Sequence, residues 1–268
     1  MSSLSTFCIE ASLRYSGRSI PIYTKLRMQL PKNTFTCLLG ESGCGKTSLL
    51  RQIAGFNDDV SSSEFVVTDD NKEPSLIDLS SQVAYMAQQD LLMPWMNVLD
   101  NVLLSDDLSR PLFHKKTSTQ YEKREQALLL LARLGVAEAA YHKPNQLSGG
   151  MRQRVALART LIQDKPIVLM DEPFAALDAF NRYKLQDLAA QMLADKTVVL
   201  VTHDAQEALR LGEQILLFPN VEKKPNEGRE AFQFIKPRLP NTTIPRAINA
   251  ELGLYQAQLL EHMGVVSC

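Results

Sequence analysis

Short apolar runs recur along the chain and predict the buried strands of a parallel sheet. Residues 36–39, 166–170, 197–201 and 215–218 are almost wholly apolar. In a parallel sheet that helices cover on both faces, the strands lose the alternation of apolar and polar positions. Stretches with helical periodicity lie between these runs, so the pattern predicts an α/β fold.

A different kind of strand is predicted near the N-terminus. Within residues 6–30, apolar side chains take every second position from Phe7 to Leu13, and a second apolar run begins at 20–23. This stretch therefore reads as strand, turn and strand. The following stretch, 58–81, is polar and irregular, with one short strand predicted at 65–67. Residues 83–86 are a further strand candidate.

Helical periodicity dominates the middle of the chain. Residues 97–104 and 122–134 predict helices separated by a polar stretch, and we expect the leucine run 128–131 to form the buried side of the second helix. We interpret residues from about 89 to 160 as a helical insertion. The α/β pattern then resumes, with a helix predicted over 180–194.

The composition changes after residue 218, where lysine, proline and asparagine become frequent. We interpret residues 219–268 as a short tail that ends in a helix over 248–263. That helix would place one apolar stripe against the body of the protein. The stripe consists of Ile248, Leu252, Tyr255, Leu259 and Met263.

Composition narrows the class of protein only slightly. The chain has 268 residues, 45% hydrophobic and 22% charged, which suits one large globular domain or a domain with a subdomain. A formal net charge of −1 gives no electrostatic reason to expect a nucleic-acid partner. No apolar run approaches the roughly 20 residues that span a bilayer, and residues 1–10 lack the pattern of a signal peptide. The four cysteines, Cys8, Cys37, Cys44 and Cys268, lack paired spacing, which favours a reducing compartment.

The most informative segment is residues 40–47, which match the phosphate-binding pattern G-x-x-x-x-G-K-[ST] between a strand and the predicted helix 48–54. Its members are Gly40, Glu41, Ser42, Gly43, Cys44, Gly45, Lys46 and Thr47. The glycines allow a tight turn whose N–H groups face phosphate oxygens, and the helix N-terminus adds partial positive charge. We expect Lys46 to reach the β- and γ-phosphates of a nucleoside triphosphate and the Thr47 hydroxyl to bind Mg²⁺. The alternative, a glycine-rich turn with a chance lysine, is disfavoured by these flanks.

Two further segments suit nucleotide hydrolysis. Asp171 and Glu172 end an apolar strand, where the first carboxylate would hold Mg²⁺ and the second would polarise the attacking water. Acidic turn residues are common after strands, so this pair alone is weak evidence. Residues 146–154 are more specific, because Ser148 and two glycines open a helix and form a second anion-binding N-terminus. A simple helix cap would need neither both glycines nor the Arg-Gln-Arg that follows.

Taken together, these motifs resemble those of the ATP-binding subunits of ABC (ATP-binding cassette) transporters, over about residues 5–218. The match comprises the Walker A motif at 40–47, the family signature at 147–150, Walker B at 167–172, the D-loop at 176–178 and the switch-histidine segment at 202–204. The resemblance implies a P-loop NTPase core with an N-terminal antiparallel β subdomain and an inserted helical subdomain. Residues 1–218 would form this ATPase domain.

The resemblance also implies roles for individual side chains. Glu172 would be the catalytic base, assisted by His203 and Gln88. Mg²⁺ would be held by Thr47, Gln88 and Asp171. Besides the phosphate loop, ATP would contact Tyr15, Ser48, Ser148, Gly149, Gly150 and Asp178.

Some of these side chains have simpler interpretations. Gln89 competes with Gln88 for the Q-loop position, although the spacing to the following Pro-Trp pair favours Gln88. Tyr15 is also compatible with a core or edge aromatic instead of a residue that stacks on adenine. His203 is compatible with a structural histidine, and Asp178 with a helix cap, which does not conflict with a D-loop role.

Residues 91–98 further resemble the importers for nitrate, sulfonates, taurine and the pyrimidine precursor of thiamine. This resemblance implies an ATPase on the cytoplasmic face of a bacterial-type inner membrane. It would work as an ATP-dependent dimer with integral-membrane permease subunits and, through them, with a solute-binding protein. The solute itself does not contact such a subunit, so the sequence leaves its identity open.

Two rival classes fit less well. A soluble ABC ATPase that acts on nucleic acid or ribosomes usually carries a long coiled-coil insertion or two cassettes, whereas this chain has one cassette and a compact insertion. A P-loop kinase or GTPase would lack the segment 147–150.

The apolar run 91–95 suggests a contact with the permease. It follows the Q-loop directly and contains the only tryptophan in the sequence, Trp95. A soluble core is able to absorb such a run, but Pro94 interrupts regular structure there. We therefore predict that Trp95 is at least partly exposed and forms part of a docking patch.

Overall fold

The computed structural model describes residues 6–16, 21–56, 60–69, 79–108, 118–218, 239–240 and 242–263. The strands in these ranges are β1 (Thr6–Tyr15), β2 (Tyr23–Pro31), β3 (Phe35–Leu39), β4 (Val60–Asp69), β5 (Val83–Met86), β6 (Ile167–Asp171), β7 (Thr197–Thr202) and β8 (Gln214–Leu217). The α-helices are α1 (Lys46–Ile53), α2 (Val98–Leu108), α3 (Ser118–Arg133), α4 (Gly149–Leu161), α5 (Ala179–Met192), α6 (Ala205–Leu211) and α7 (Ala250–His262).

An antiparallel sheet with strand order β2-β1-β4 forms the N-terminal part of the fold. Alternate residues of β1 are buried, as the pattern from Phe7 to Leu13 predicts. The prediction that residues 58–81 are irregular is wrong in part, because strand β4 has ten residues. It pairs with β1 along its length, from Asp69 opposite Phe7 to Val60 opposite Tyr15. The ladder of backbone hydrogen bonds stabilises a strand even where its side chains are serines and glutamate.

A five-stranded parallel sheet with order β5-β6-β7-β3-β8 forms the core. Every residue of β3, β6 and β7 is buried, as their apolar sequences predict. Because the strands are parallel, their carboxyl ends meet at one edge, where ligands of open α/β sheets bind. The observed sheets and helices confirm the predicted fold class.

The inserted helices α2, α3 and α4 pack into one apolar cluster with the core of the parallel sheet. The prediction that residues 128–131 form a buried side of α3 is wrong in part. Leu131 is buried, but Leu129 is 60% exposed. Successive residues of a helix point about 100° apart, so four in a row cannot share one face.

The C-terminal helix α7 packs on the body of the protein. Leu252 and Leu259 are buried, and Tyr255 and Met263 pack against the core, as predicted. Ile248 is 49% exposed because it precedes the helix, which starts after its cap, Asn249. Residues 219–238 of the predicted tail lie outside the described residues, and the division into a domain at 1–218 and a tail at 219–268 stays a prediction.

Candidate functional site

The phosphate loop, residues 40–47, connects β3 to α1. Gly43 and Gly45 have φ angles of 82° and 110°, in the left-handed region that favours glycine. A Cβ atom at Gly45 would lie 2.6 Å from Cγ2 of Ile22, so a larger residue would force Ile22 to shift. Helix α1 has no acidic residue in its first turn, which leaves the positive end of its dipole available to an anion.

Lys46 lies over the loop, and its side chain is almost fully buried. The Nζ atom donates to the carbonyl oxygens of Gly40 and Glu41 at 2.7 Å each and lies 3.7 Å from Cys44 Sγ. Both Cys44 and Cys37, in β3, are buried free thiols. The Lys46 ammonium group is thus held by the backbone of the loop itself.

Tyr15 lies at the end of β1, beside the same loop. Its hydroxyl donates to Oγ of Ser48 at 3.0 Å, and the residue is partly exposed. This contact joins the antiparallel sheet to the start of α1. The stacking of Tyr15 on adenine stays a prediction.

Asp171 ends β6 and is almost completely buried. The Thr47 hydroxyl donates to its Oδ1 at 3.0 Å, and the Tyr85 phenol donates to its Oδ2 at 3.2 Å. Burial raises the pKa of Asp171, and these two hydrogen bonds act in the opposite direction. Both carboxylate oxygens are thus fixed in place, one of them beside the phosphate loop.

Tyr85 is a site residue that the sequence analysis missed. Burial and the neighbouring Asp171 raise the pKa of its phenol, which stays a proton donor. In the sequence, the only indication of this role is that Tyr85 places a hydroxyl group in the otherwise apolar strand β5, three residues before Gln88. Its partner Asp171 lies on β6, the neighbouring strand of the sheet.

Glu172 is the centre of a second cluster of polar side chains. Gln88 Nε2 donates to its Oε2 at 3.3 Å, and Nδ1 of His203 lies 3.1 Å from the same oxygen. Glu172 has a φ of 46°, which is uncommon for a residue with a side chain. Its backbone N–H donates to the carbonyl of Val201 on β7, which helps to hold this conformation. The structure thus brings together the three residues predicted as catalytic. Of the two neighbouring glutamines, Gln88 and Gln89, it is Gln88 that donates to Glu172.

Ser148 and Asp178 occupy the starts of two helices. Ser148 caps α4 by accepting a hydrogen bond from Met151 N, and Asp178 caps α5 by accepting one from Asn181 N. The hydrogen bonds from Asn181 lower the pKa of Asp178. Within the described residues, neither helix start shares a hydrogen bond with the phosphate loop. A capping role is therefore present for both, while their contact with ATP stays a prediction.

The starts of α4 and α5 are neighbours in space. A Cβ atom at Gly150 would meet Cδ2 of Leu177 at 3.7 Å and Cγ of Asn181 at 3.8 Å. The start of α4 therefore packs against the turn before α5, with the buried side chain of Leu177 beneath Gly150.

Trp95 is 68% exposed, which confirms the prediction for the only tryptophan. Leu91 is 53% exposed, but Leu92 is buried in the core, so the predicted patch does not include the whole run 91–95. The loop is anchored from two directions. Arg159 donates to the carbonyl oxygen of Leu91 at 2.8 Å, and Asn101 accepts from the backbone N–H of Met93 at 2.7 Å.

Glu207, in α6, is a buried acid that the sequence analysis did not identify. It is 5% exposed, and the Thr202 hydroxyl donates to its Oε2 at 2.7 Å. Burial raises the pKa of Glu207 to about 8, from 4.5 in the unfolded chain, although the bond from Thr202 opposes this shift. The carboxyl group is therefore mostly protonated at neutral pH.

This raised pKa predicts a pH-dependent stability. Between these two values the native state keeps a proton that the unfolded chain releases. The contribution of Glu207 to the free energy of unfolding is therefore complete below pH 4.5 and is lost as pH rises towards 8. The loss reaches up to about 1.4 kcal/mol per pH unit. Glu207→Gln should remove this slope in urea denaturation series across the window. The exposed Glu138→Gln is the control, and parallel profiles for Glu207→Gln and the native protein would contradict the prediction.

The fold and site together define a phosphate-loop ATPase of the ATP-binding cassette class. The chain belongs to the ABC transporter family, whose family model matches residues 23–175. It is 40% identical over 257 residues to an uncharacterized ABC transporter ATP-binding protein of Haemophilus influenzae, covering 95% of this chain and 97% of that protein. It is 38% identical over 205 residues to the taurine import ATP-binding protein TauB of Yersinia pestis, covering 76% and 75% of the two chains.

A solved structure supports the same assignment. The dimeric post-hydrolysis structure of the ATP-binding cassette MJ0796 bound to ADP and Pi is similar, with a TM-score of 0.65 and 28% identity. The alignment covers 87% of this chain and 99% of that one. Among the described residues, no helix has the length and apolar character needed to cross a membrane.

Proposed function

We propose that this chain is the ATP-hydrolysing subunit of an importer and energises uptake of a small solute through membrane permease subunits. The observation that carries the proposal is its similarity to a taurine import ATP-binding protein over three quarters of both chains. A solute of the nitrate, sulfonate or taurine type is our first candidate, and the thiamine precursor is the second. A soluble ABC ATPase with a nucleic-acid or ribosomal partner is not favoured, because the similar proteins are named as transport proteins.

The residues beside the phosphate loop fit a magnesium site. Thr47 Oγ1 and Asp171 Oδ1 lie 3.0 Å apart, at the start of α1 and the end of β6. Mg²⁺ prefers such oxygen ligands and is usually bound through one or two carboxylates together with substrate phosphates. We assign its ligands to Thr47, Asp171 and Gln88. The ion would neutralise charge on the β- and γ-phosphates.

Glu172 is suited to act as the general base. A base must lie within hydrogen-bonding reach of the water whose proton it accepts and must be held in one orientation. Gln88 and His203 contact the same carboxylate oxygen, and the backbone hydrogen bond to Val201 helps to hold Glu172 in its conformation. The Lys46 ammonium would bind the phosphates, while Glu172 takes the proton of the attacking water.

The remaining predicted residues suit a site shared between two copies of the chain. One copy would supply Lys46, Thr47, Gln88, Asp171, Glu172 and His203, and the other would supply Ser148, Gly149 and Gly150. The exposed start of α4 offers backbone N–H groups and a helix dipole to the γ-phosphate. ATP would thus hold the dimer together, and hydrolysis would release it.

Trp95 is the proposed contact with the permease. Trp95→Glu should leave folding and nucleotide affinity nearly unchanged and abolish solute uptake, since a buried interface excludes an unpaired charge. Taurine and a simple alkanesulfonate are the first solutes to test. A second measurement is whether the tagged chain co-purifies with a membrane protein. Leu254→Glu, at an exposed leucine of α7, is the control. Full uptake with Trp95→Glu would remove this residue from the interface.

A further inference from the structure

Arg182 connects two loops that bear proposed site residues. It lies in the first turn of α5, and its side chain is 31% exposed. One terminal nitrogen donates to the carbonyl oxygen of Leu177 at 3.0 Å, and the other lies 3.4 Å from Oδ2 of Asp204. Leu177 directly precedes Asp178, and Asp204 directly follows His203. A single guanidinium group thus bridges the turn before α5 and the segment after β7.

Asp204 is firmly linked to the segment that carries His203. Its Oδ1 accepts from the backbone N–H groups of Gln206 and Glu207, at 2.8 Å and 3.3 Å, and so caps α6. Its own N–H donates to the Thr202 hydroxyl at 3.0 Å. Because Asp204 is bonded on both sides of His203, a shift of its carboxylate moves the backbone that carries the imidazole.

The other end of the bridge lies directly beneath the start of α4, where Ser148 and Gly149 are exposed and are proposed to meet the second copy. The Leu177 side chain is the neighbour of Gly150 at the start of α4. Asp178 holds the same turn by accepting from both the backbone N–H and the side-chain amide of Asn181. A molecule that docks on the exposed start of α4 would therefore act on Leu177 through Gly150.

We propose that Arg182 is a positioning residue that transmits displacement of the Leu177 turn to His203, and through it to Glu172. An arginine is suited to this task because its planar fork binds two acceptors at once, whereas lysine offers a single ammonium group. The link lies within one chain. Only its use, as a signal that the second copy has docked, rests on the proposed function.

The imidazole signals of His203 provide the test. The chain has four histidines, and the loss of one ring signal in His203→Gln identifies this residue. Asp178→Ala removes the cap of α5 and disturbs the turn, so it should shift the His203 ring resonances in the nucleotide-free chain. In the Arg182→Met background the same change should shift them roughly threefold less or not at all, as coupled sites require. An equal response in both backgrounds, or no response in either, would overturn the proposal.

Two further variants distinguish transmission through Arg182 from a general loosening of the packing between α5 and α6. Asp187→Ala removes the ion pair between Asp187 of α5 and Arg210 of α6. This change should leave the His203 response intact. Arg182→Lys keeps the positive charge and replaces Arg182→Met in the test if the methionine variant fails to fold. In this background too, Asp178→Ala should shift the His203 ring resonances much less than in the native chain. A full response with lysine would overturn the bridging geometry.

ATP hydrolysis gives a second readout. In Arg182→Met, kcat should fall about tenfold through misplacement of the proton-accepting cluster, while the affinity of the monomer for ATP stays within about twofold. A fall in affinity with unchanged kcat would contradict a positioning role. The ring measurement needs neither nucleotide nor a dimer, so its outcome is distinguishable from a failure of the proposed function.

Discussion

Replacing Glu172 with glutamine is expected to abolish ATP turnover and to leave ATP binding intact. Glutamine has nearly the same shape but cannot accept the proton of the attacking water, and loss of a general base costs about 10² to 10⁴-fold in rate. Since the ATP that joins the two copies would no longer be consumed, the variant should form a stable dimer when ATP and Mg²⁺ are added. Phosphate release measures the first effect, and size-exclusion chromatography with and without ATP measures the second.

Glu138→Gln, at an exposed carboxylate of the inserted helical part, is the matched control and should hydrolyse ATP at the normal rate. An unchanged rate in Glu172→Gln would refute the base assignment. A slow variant that stays monomeric with ATP would instead leave the base in place and argue against the ATP-dependent dimer.

Lys46→Ala should remove tight ATP binding. The Lys46 ammonium is buried over the phosphate loop, and each charge-assisted hydrogen bond to phosphate contributes about 1.5–3 kcal/mol. Loss of one such bond lowers affinity by about 10- to 150-fold. Calorimetric titration with ATP and Mg²⁺ measures the change. Lys196→Ala, at a lysine paired with Asp164 on the surface, should bind ATP normally, and normal binding by Lys46→Ala would remove Lys46 from the site.

The parts of this molecule that local sequence determines were predictable. The phosphate loop follows from eight consecutive residues, and two of its three glycines, Gly43 and Gly45, have positive φ angles that suit its tight turn. The strands β3, β6 and β7 follow from runs that are apolar on both faces. Glu172 and His203 follow such strands directly, so the parallel sheet brings them together at one edge.

Features that depend on neighbouring elements were not predictable. Tyr85 and Arg182 contact carboxylates on other parts of the chain, Asp171 and Asp204, and nothing in their local sequence reveals these partners. The raised pKa of Glu207 arises from burial in the folded state. The length of β4 is set by its pairing with β1, and its own side chains do not indicate it.

The shared site is the central claim, and a mixture of two inactive chains tests it most directly. Lys46→Ala should fail because it has lost tight ATP binding. Ser148→Arg should fail because it blocks the site of its partner, although its own monomer still binds ATP. The second property must be measured first, since Ser148 also caps α4 and loss of a cap costs about 1 kcal/mol. Mixed in equal amounts, half of the dimers contain one intact site, so hydrolysis should return to about a quarter of the native rate. A mixture that stays as inactive as its two components would contradict a site shared between two copies.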